Sequence, residues 1–405
     1  MTAVPATSSA PATASRIQSV DALRGAIMML MAIDHIRDFI ARSAMQFLPT
    51  DLTRTTAAIF FTRWITHFCA PVFFLTAGIS AFLWMHRGHH SKPELSRFLV
   101  TRGLWLILLE ITVLRVVMFS QVEYRGNIVI LLILWAIGMS MIALAALIYL
   151  PLRVLAGVSV AIIALHNLLD GISAGQFGNA AWVWAILHQP GFIRIAGINF
   201  RTAYVVLPWI GVMAAGYCLG TLFTWEARQR RRLLVGLGTT LTIAFVVLRG
   251  INIYGDPGRW HHQPSALFTV LSFLNTTKYP PSLDFLLMTL GPAIIALALL
   301  ERRRFSPDNP LLVFGRVPFF YYVLHLALAH LIAIAMNFVR YGRAPFLLTA
   351  PPSMGGDAKL FPPNYGYPLW AVYLVWIAVL LLLYPICRWF ARLKQRRRDW
   401  WLSYL

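Results

Sequence analysis

The chain has 405 residues, of which 59% are hydrophobic and 12% charged, with a formal net charge of +20 and a mean hydropathy of +0.67. A soluble domain does not bury that much apolar surface, so the composition predicts an all-α, polytopic integral membrane helix bundle in contact with lipid. The basic residues stand in short blocks between apolar runs, which is a topology signal and points away from a nucleic-acid partner.

Residues 1–15, MTAVPATSSAPATAS, lack both a basic start and an apolar core, so they predict a disordered tail and not a cleaved signal. About ten spans of ~20 apolar residues follow. They are expected near 20–42, 58–86, 98–120, 127–149, 152–171, 203–225, 233–253, 283–300, 311–338 and 368–390, with a short surface helix at 265–275 as an open alternative. This gives a membrane domain over 16–390 and a basic tail over 391–405. With the N-terminus cytoplasmic, every dense basic cluster falls on the cytoplasmic side, including EARQRRR, ERRRFSPDN and CRWFARLKQRRRDWW. Both termini are then cytoplasmic; an eleven-span layout would put the most basic segment outside. The outward connections 171–202, 254–282 and 339–367 are the longer ones, where binding residues concentrate.

Several spans carry ionisable residues. The first, VDALRGAIMMLMAIDHIRDF, holds Asp21, Arg24, Asp34, His35, Arg37 and Asp38. Arg24 and His35 are eleven apart, so they point nearly the same way, about 16 Å apart along a helix axis. Asp34 and Asp38 share a neighbouring face. A histidine between apolar runs must face a bundle interior or a wet cavity, and it can act as a base near neutral pH. The second span, FFTRWITHFCAPVFFLTAGISAFL, puts Arg63 and His67 at i and i+4, ahead of a kink expected at Pro71. His166 and Asp170 form another i, i+4 pair, as do Tyr321 and His325 in FGRVPFFYYVLHLALAHLIAI, which also holds Arg316 and His330. Lys278 and Tyr279, just before Pro280 and Pro281, are placed to reach back over a cavity mouth, although an interfacial lysine and tyrosine fit the same pattern. Cys69, Cys218 and Cys387 lie in apolar runs with no CxxC spacing, which argues against disulfides or zinc.

The stretch RIQSVDALRGAIMMLMAIDH resembles the opening of the transmembrane acyltransferase superfamily, and THFCAPVFFLTAG, NTTKYPPSL and FGRVPFFYYVLHL extend the likeness. The branch it is most similar to contains bacterial relatives of the heparan-α-glucosaminide N-acetyltransferase catalytic domain. In the related acyltransferase family 3, an arginine is followed after ten residues by a histidine, a pair that matches Arg24 and His35. The lysosomal members instead carry an asparagine at the position of His35 and a histidine shortly after it; here no histidine stands between His35 and His67.

The resemblance implies transfer of an acetyl group from cytoplasmic acetyl-CoA to an extracytoplasmic sugar or glycan, in a multi-pass protein of a bacterial inner membrane. No metal is expected, and a homodimer is compatible with it. The expected catalytic residues are His35 as base or transient acyl carrier, Asp34 and His67. Arg24, Arg63, Arg316 and His325 are the expected cofactor-binding residues. Lys278, Tyr279 and Asp38 are expected at the acceptor. Two other classes remain in view: a proton-coupled transporter, whose relay would use the same Asp and His residues, and a non-catalytic membrane scaffold.

Overall fold

The computed structural model describes residues 17–124, 127–349, 353, 356–397 and 399–403. The expected disordered tail lies outside them. The architecture is mainly helical. Helix α1 (Gln18–Ile40) is followed by α2 (Ala57–Thr66), α3 (Cys69–Arg87) and α4 (Lys92–Leu109), which runs through a π-helical turn at Glu110–Leu114 into α5 (Arg115–Phe119). Then come α6 (Ile133–Leu147), α7 (Leu152–Leu165), α8 (Ala181–Leu187), α9 (Leu207–Gly220) and α10 (Ala227–Ile251). The chain ends with α11 (Ala266–Leu274), α12 (Leu283–Leu300), α13 (Pro310–Arg316), α14 (Pro318–Tyr341) and α15 (Leu369–Arg396).

Seven helical segments among the described residues are long and apolar enough to cross a bilayer: Ala57–Arg87, Leu152–Leu169, Leu207–Thr224, Ala227–Ile251, Leu283–Leu300, Pro318–Tyr341 and Leu369–Arg396. Three further expected spans are helical but fall outside that set for visible reasons. α1 carries too many charges, α4 begins with Lys92, Glu94, Arg97 and Arg102, and α6 has only 15 residues. The surface helix expected near 265–275 is present as α11.

The all-α expectation needs one correction. Residues 128–131, expected at the start of a span, form strand β1 (Ile128–Leu131) of a small sheet with β2 (Phe192–Ile195) and β3 (Ile198–Thr202). The strand order is β1-β3-β2, with Ile128 opposite Asn199 in the parallel pair and Phe192 opposite Arg201 in the antiparallel one. This apolar tetrapeptide, three of whose residues are β-branched, has its partner only far along the chain, so its pairing has no local signature.

Two expected spans are broken where proline forbids continuity. The run 58–86 divides between α2 and α3 at His67 and Phe68, one turn before Pro71, whose missing N–H leaves the His67 carbonyl without its helical donor. The run 311–338 divides at Val317 (φ −129°, ψ 47°), because the residue before Pro318 is disfavoured in helical geometry.

Helix α1 sits inside the bundle against α2, α3, α12, α13, α14 and α15. Its contact with α13 is backbone on backbone. A Cβ at Gly25 would stand 1.8 Å from the Leu311 carbonyl oxygen, and one at Gly315 the same distance from that of Asp21. Small residues permit such approach, which is how helices associate where the hydrophobic effect gives no drive. α12 is also interior, 72% buried over its most apolar stretch, whereas the Leu152–Leu169 span is 17% buried and presents most of its side chains outward.

Candidate functional site

A cavity of about 1010 Å³ opens among the loops at the far end of α1 and descends to Met31, Cys69 and Ala70. Its wall includes Asp34, His35, Arg37 and Asp38 from α1, Arg63 and His67 from the α2 segment, and Lys278 and Tyr279 from the long loop before α12. Tyr204, Tyr322, Phe47 and Phe119 add aromatic lining. Residues separated by more than 240 positions thus share one chamber.

His35 is half-buried, and its Nδ1 lies 2.7 Å from Nε2 of His325. His325 is fully buried, and its Nδ1 lies 3.0 Å from the Tyr321 carbonyl one turn earlier in α14. A carbonyl oxygen only accepts, so His325 carries its proton on Nδ1 and its lone pair on Nε2. His35 must then donate from Nδ1, which puts the lone pair of neutral His35 on Nε2. The tautomer is assigned by this chain of hydrogen bonds. The i, i+4 relation of Tyr321 and His325 matters through the tyrosine's backbone carbonyl, since its ring only stacks on the His325 ring at 4.9 Å.

Beside this pair lies an ion network. Arg37 Nη2 donates to Asp38 Oδ1 at 2.6 Å and lies 2.9 Å from Asp34 Oδ1, while Arg63 pairs with Asp34 Oδ2. Two carboxylates face two guanidinium groups, so the network is balanced and Lys278 adds a further positive charge to the wall. Arg37, to which the sequence assigned no site role, is 4% exposed and joins both aspartates. Desolvated charges persist only when paired in this way. His67 is 2% exposed, tilted against the Phe285 ring at 5.4 Å, and its Nδ1 meets no hydrogen-bond partner among the described residues.

The loop carrying Lys278 and Tyr279 is held rigidly. Asp256 accepts from the Thr277 backbone N–H (2.7 Å), Thr277 Oγ1 (2.8 Å) and Ser282 Oγ (2.5 Å). Fully buried Arg249 donates to the carbonyls of Phe273, Gly258, Ser272 and Asn275. His166 Nε2 reaches the Pro281 carbonyl at 2.7 Å, and Asn167 Oδ1 accepts the Leu283 N–H at 2.8 Å. Tyr279 lies 3.4 Å from Tyr204, hydroxyl to hydroxyl, across the mouth. His166 therefore serves the loop's shape, and the i, i+4 pair expected with Asp170 is replaced by Asp170 contacts to His188 Nε2 (2.9 Å) and Asn167 Nδ2 (2.8 Å).

Three expected site residues, Arg24, Arg316 and His325, do not line this chamber. Arg24 is deeper along α1, donating to Ser80 Oγ at 2.7 Å and to the Thr76 carbonyl at 3.2 Å, with Asp21 at 3.7 Å. Arg316 ends α13 and donates to the Pro307 carbonyl at 3.1 Å. Both stand at the opposite end of α1 from the cavity mouth. His325 was expected among the cofactor ligands; both of its nitrogens are instead occupied by His35 and the Tyr321 carbonyl.

Glu110 was not among the residues singled out from the sequence, although it is an ionisable group inside the apolar run expected over 98–120. It is 3% exposed, and its Oε2 accepts the backbone N–H groups of Leu134 (2.8 Å) and Trp135 (3.2 Å) at the start of α6. It caps the first turn of α6, whose N–H groups have no acceptor within the helix.

No curated protein matches the chain. A family model described as heparan-alpha-glucosaminide N-acetyltransferase, catalytic, matches residues 16–254, which include Arg24, Asp34, His35, Arg37, Asp38, Arg63 and His67. That match covers more than half of the chain and all of α1, so this multi-pass membrane protein belongs to the heparan-alpha-glucosaminide N-acetyltransferase catalytic family.

Proposed function

We propose that the protein transfers an acetyl group from acetyl-CoA to a hydroxyl or amine of a sugar or glycan that enters the cavity from the side of the long loops. The observation that carries this reading is the line from the Tyr321 carbonyl through His325 to His35, which assigns a basic lone pair to His35 Nε2 on the cavity wall. A general base must stand within hydrogen-bond reach of the proton it removes. In the proposed step, His35 Nε2 takes the acceptor's proton as its oxygen or nitrogen attacks the thioester carbon. The tetrahedral oxyanion then collapses, the carbon–sulfur bond breaks, and the thiolate recovers the proton from His35. Lys278 and His67, on other walls of the same chamber, stabilise the oxyanion or orient the acceptor. Asp34, held by Arg37 and Arg63, fixes the charged wall and does not bond His35 directly. His325 is assigned a positioning role in place of cofactor binding.

Acetyl-CoA is the donor by virtue of the family. Its anionic end belongs at the basic end of the bundle, where Arg24 and Arg316 stand, and its pantetheine arm would pass along α1 toward His35. The cavity stops at Met31, Cys69 and Ala70, so that passage requires these side chains to move. The proposed topology has ten crossings, adding α1, α4–α5 and α6 to the seven long apolar segments. Both termini then lie in the cytoplasm of a bacterial inner membrane, with the membrane domain over 16–390 and the basic tail beyond it.

The testing experiment follows labelled acetyl transfer from acetyl-CoA in proteoliposomes, with glucosamine as the first acceptor. The reading expects transfer by the wild type and its near loss in His35→Ala. Undiminished transfer by His35→Ala in correctly inserted protein would refute it.

A further inference from the structure

The last helix has an unusual end. Arg388, Arg392 and Arg396 follow at intervals of four, so they occupy an arc of about 80° on α15. They border a groove of about 350 Å³ whose other walls are Tyr384, Pro385, Trp389 and Leu393. Asp308, from the turn before α13, pairs with Arg388 at 2.5 Å and with Arg392 at 3.0 Å. The hydrogen bond from Arg388 holds its carboxyl below the usual carboxylate range. Among the described residues it is the only carboxylate paired with these arginines, so three positive charges meet one negative charge and two remain in excess.

The same face continues as an apolar stripe. Leu381 lies two turns before Arg388 and is 69% exposed; Ile377 and Leu374 follow at 47% and 59%. The helical distance from Arg388 to Leu374 is about 21 Å, enough to cover one leaflet of a hydrocarbon core ~30 Å thick. Trp389, 60% exposed, sits where the stripe gives way to the arginines, as tryptophans do at a membrane interface. Charge and length therefore match one kind of occupant, with an anionic head and a long apolar tail.

We propose that this face of α15 binds an anionic phospholipid, its phosphate held by the Arg388–Arg392–Arg396 ladder and its acyl chain laid along Leu381, Ile377 and Leu374. Asp308 pre-orients the first two guanidinium groups, and the excess charge selects an anionic head over a zwitterionic one. The inference rests on α15 crossing the bilayer and is independent of the acetyl-transfer reading.

The test uses the full chain in phosphatidylcholine nanodiscs containing a minor fraction of brominated phosphatidylglycerol or, for comparison, brominated phosphatidylcholine. Bromine quenches a tryptophan it touches. The expected result is quenching by the anionic lipid in excess over the zwitterionic one, absent in Trp389→Phe. Arg396→Gln, which leaves the Asp308 pairs in place, is expected to weaken the anionic lipid's apparent affinity about fivefold. Equal quenching by the two lipids would overturn the proposal, as would an excess that survives replacement of all three arginines by Gln. Quenching by neither lipid would overturn it in favour of a second copy covering the face. Reversal of the excess by acetyl-CoA or inorganic phosphate would overturn it in favour of a soluble phosphate site.

Discussion

Replacing His325 by Phe keeps an aromatic ring in a fully buried position but removes the acceptor for His35 Nδ1 and the donor to the Tyr321 carbonyl. In the ground state this frees His35 to adopt the other tautomer, with its lone pair directed away from the acceptor. In the transition state, where His35 becomes an imidazolium, the 2.7 Å hydrogen bond to His325 Nε2 is a hydrogen bond from a charged donor. Such bonds contribute about 1.5–3 kcal/mol, which corresponds to a fall in kcat of about 10- to 150-fold. KM for acetyl-CoA should change little, because the proposed place for the cofactor's charged end, at Arg24 and Arg316, is far from His325. His325→Gln is the informative companion. Its amide oxygen reaches roughly where Nε2 stands and can accept from His35, so it should recover a substantial part of the lost rate. The assay is steady-state acetyl transfer by purified enzyme in proteoliposomes, with folding checked by the melting curve. The double variant His35→Ala/His325→Phe should be no slower than His35→Ala alone, since His325 acts only through His35. A kcat for His325→Phe within twofold of wild type, or additive losses in the double variant, would refute the relay.

Four further outcomes follow from the same geometry. His35→Ala should lower transfer by about 10²–10⁴-fold while the protein inserts and melts normally. Lys278→Met should lower kcat by about 10²–10³-fold if its charge meets the oxyanion; an effect on acceptor KM alone would assign it to binding. Arg63→Met leaves Asp34 with Arg37 as its remaining cation and should cost about 1–3 kcal/mol of stability, relieved by adding Asp34→Asn; a loss unaffected by the second change would exclude charge imbalance as the cause. Gly25→Ala places a Cβ against the Leu311 backbone and should destabilise by about 1–3 kcal/mol, read as a lowered melting temperature in detergent. An unchanged melting curve would mean that α1 and α13 separate at little cost.

Much of this protein is written locally. The apolar runs located most of the helices, because lipid demands that each spanning segment satisfy its own backbone, and Pro71 located one break, while the break before Pro318 fell inside a run expected as one span. Sequence also singled out His35, Asp34, Arg63, His67 and Lys278, since an ionisable group inside an apolar run stands out without any knowledge of its neighbours. It did not determine what those groups touch. The pairing of His35 with His325 spans 290 positions, and the strand at Ile128–Leu131 finds its partner only at Asn199–Thr202. Glu110 is an ionisable group in an apolar run as well, but its role as a cap is not legible in sequence, as its partners are backbone groups of another helix. Helix periodicity says which way a side chain points, while hydrogen bonds between helices depend on how those helices are set against one another. That setting comes from the backbone contact of Gly25 and Gly315 and from the Asp256–Arg249 knot, so it was decided only by the tertiary structure.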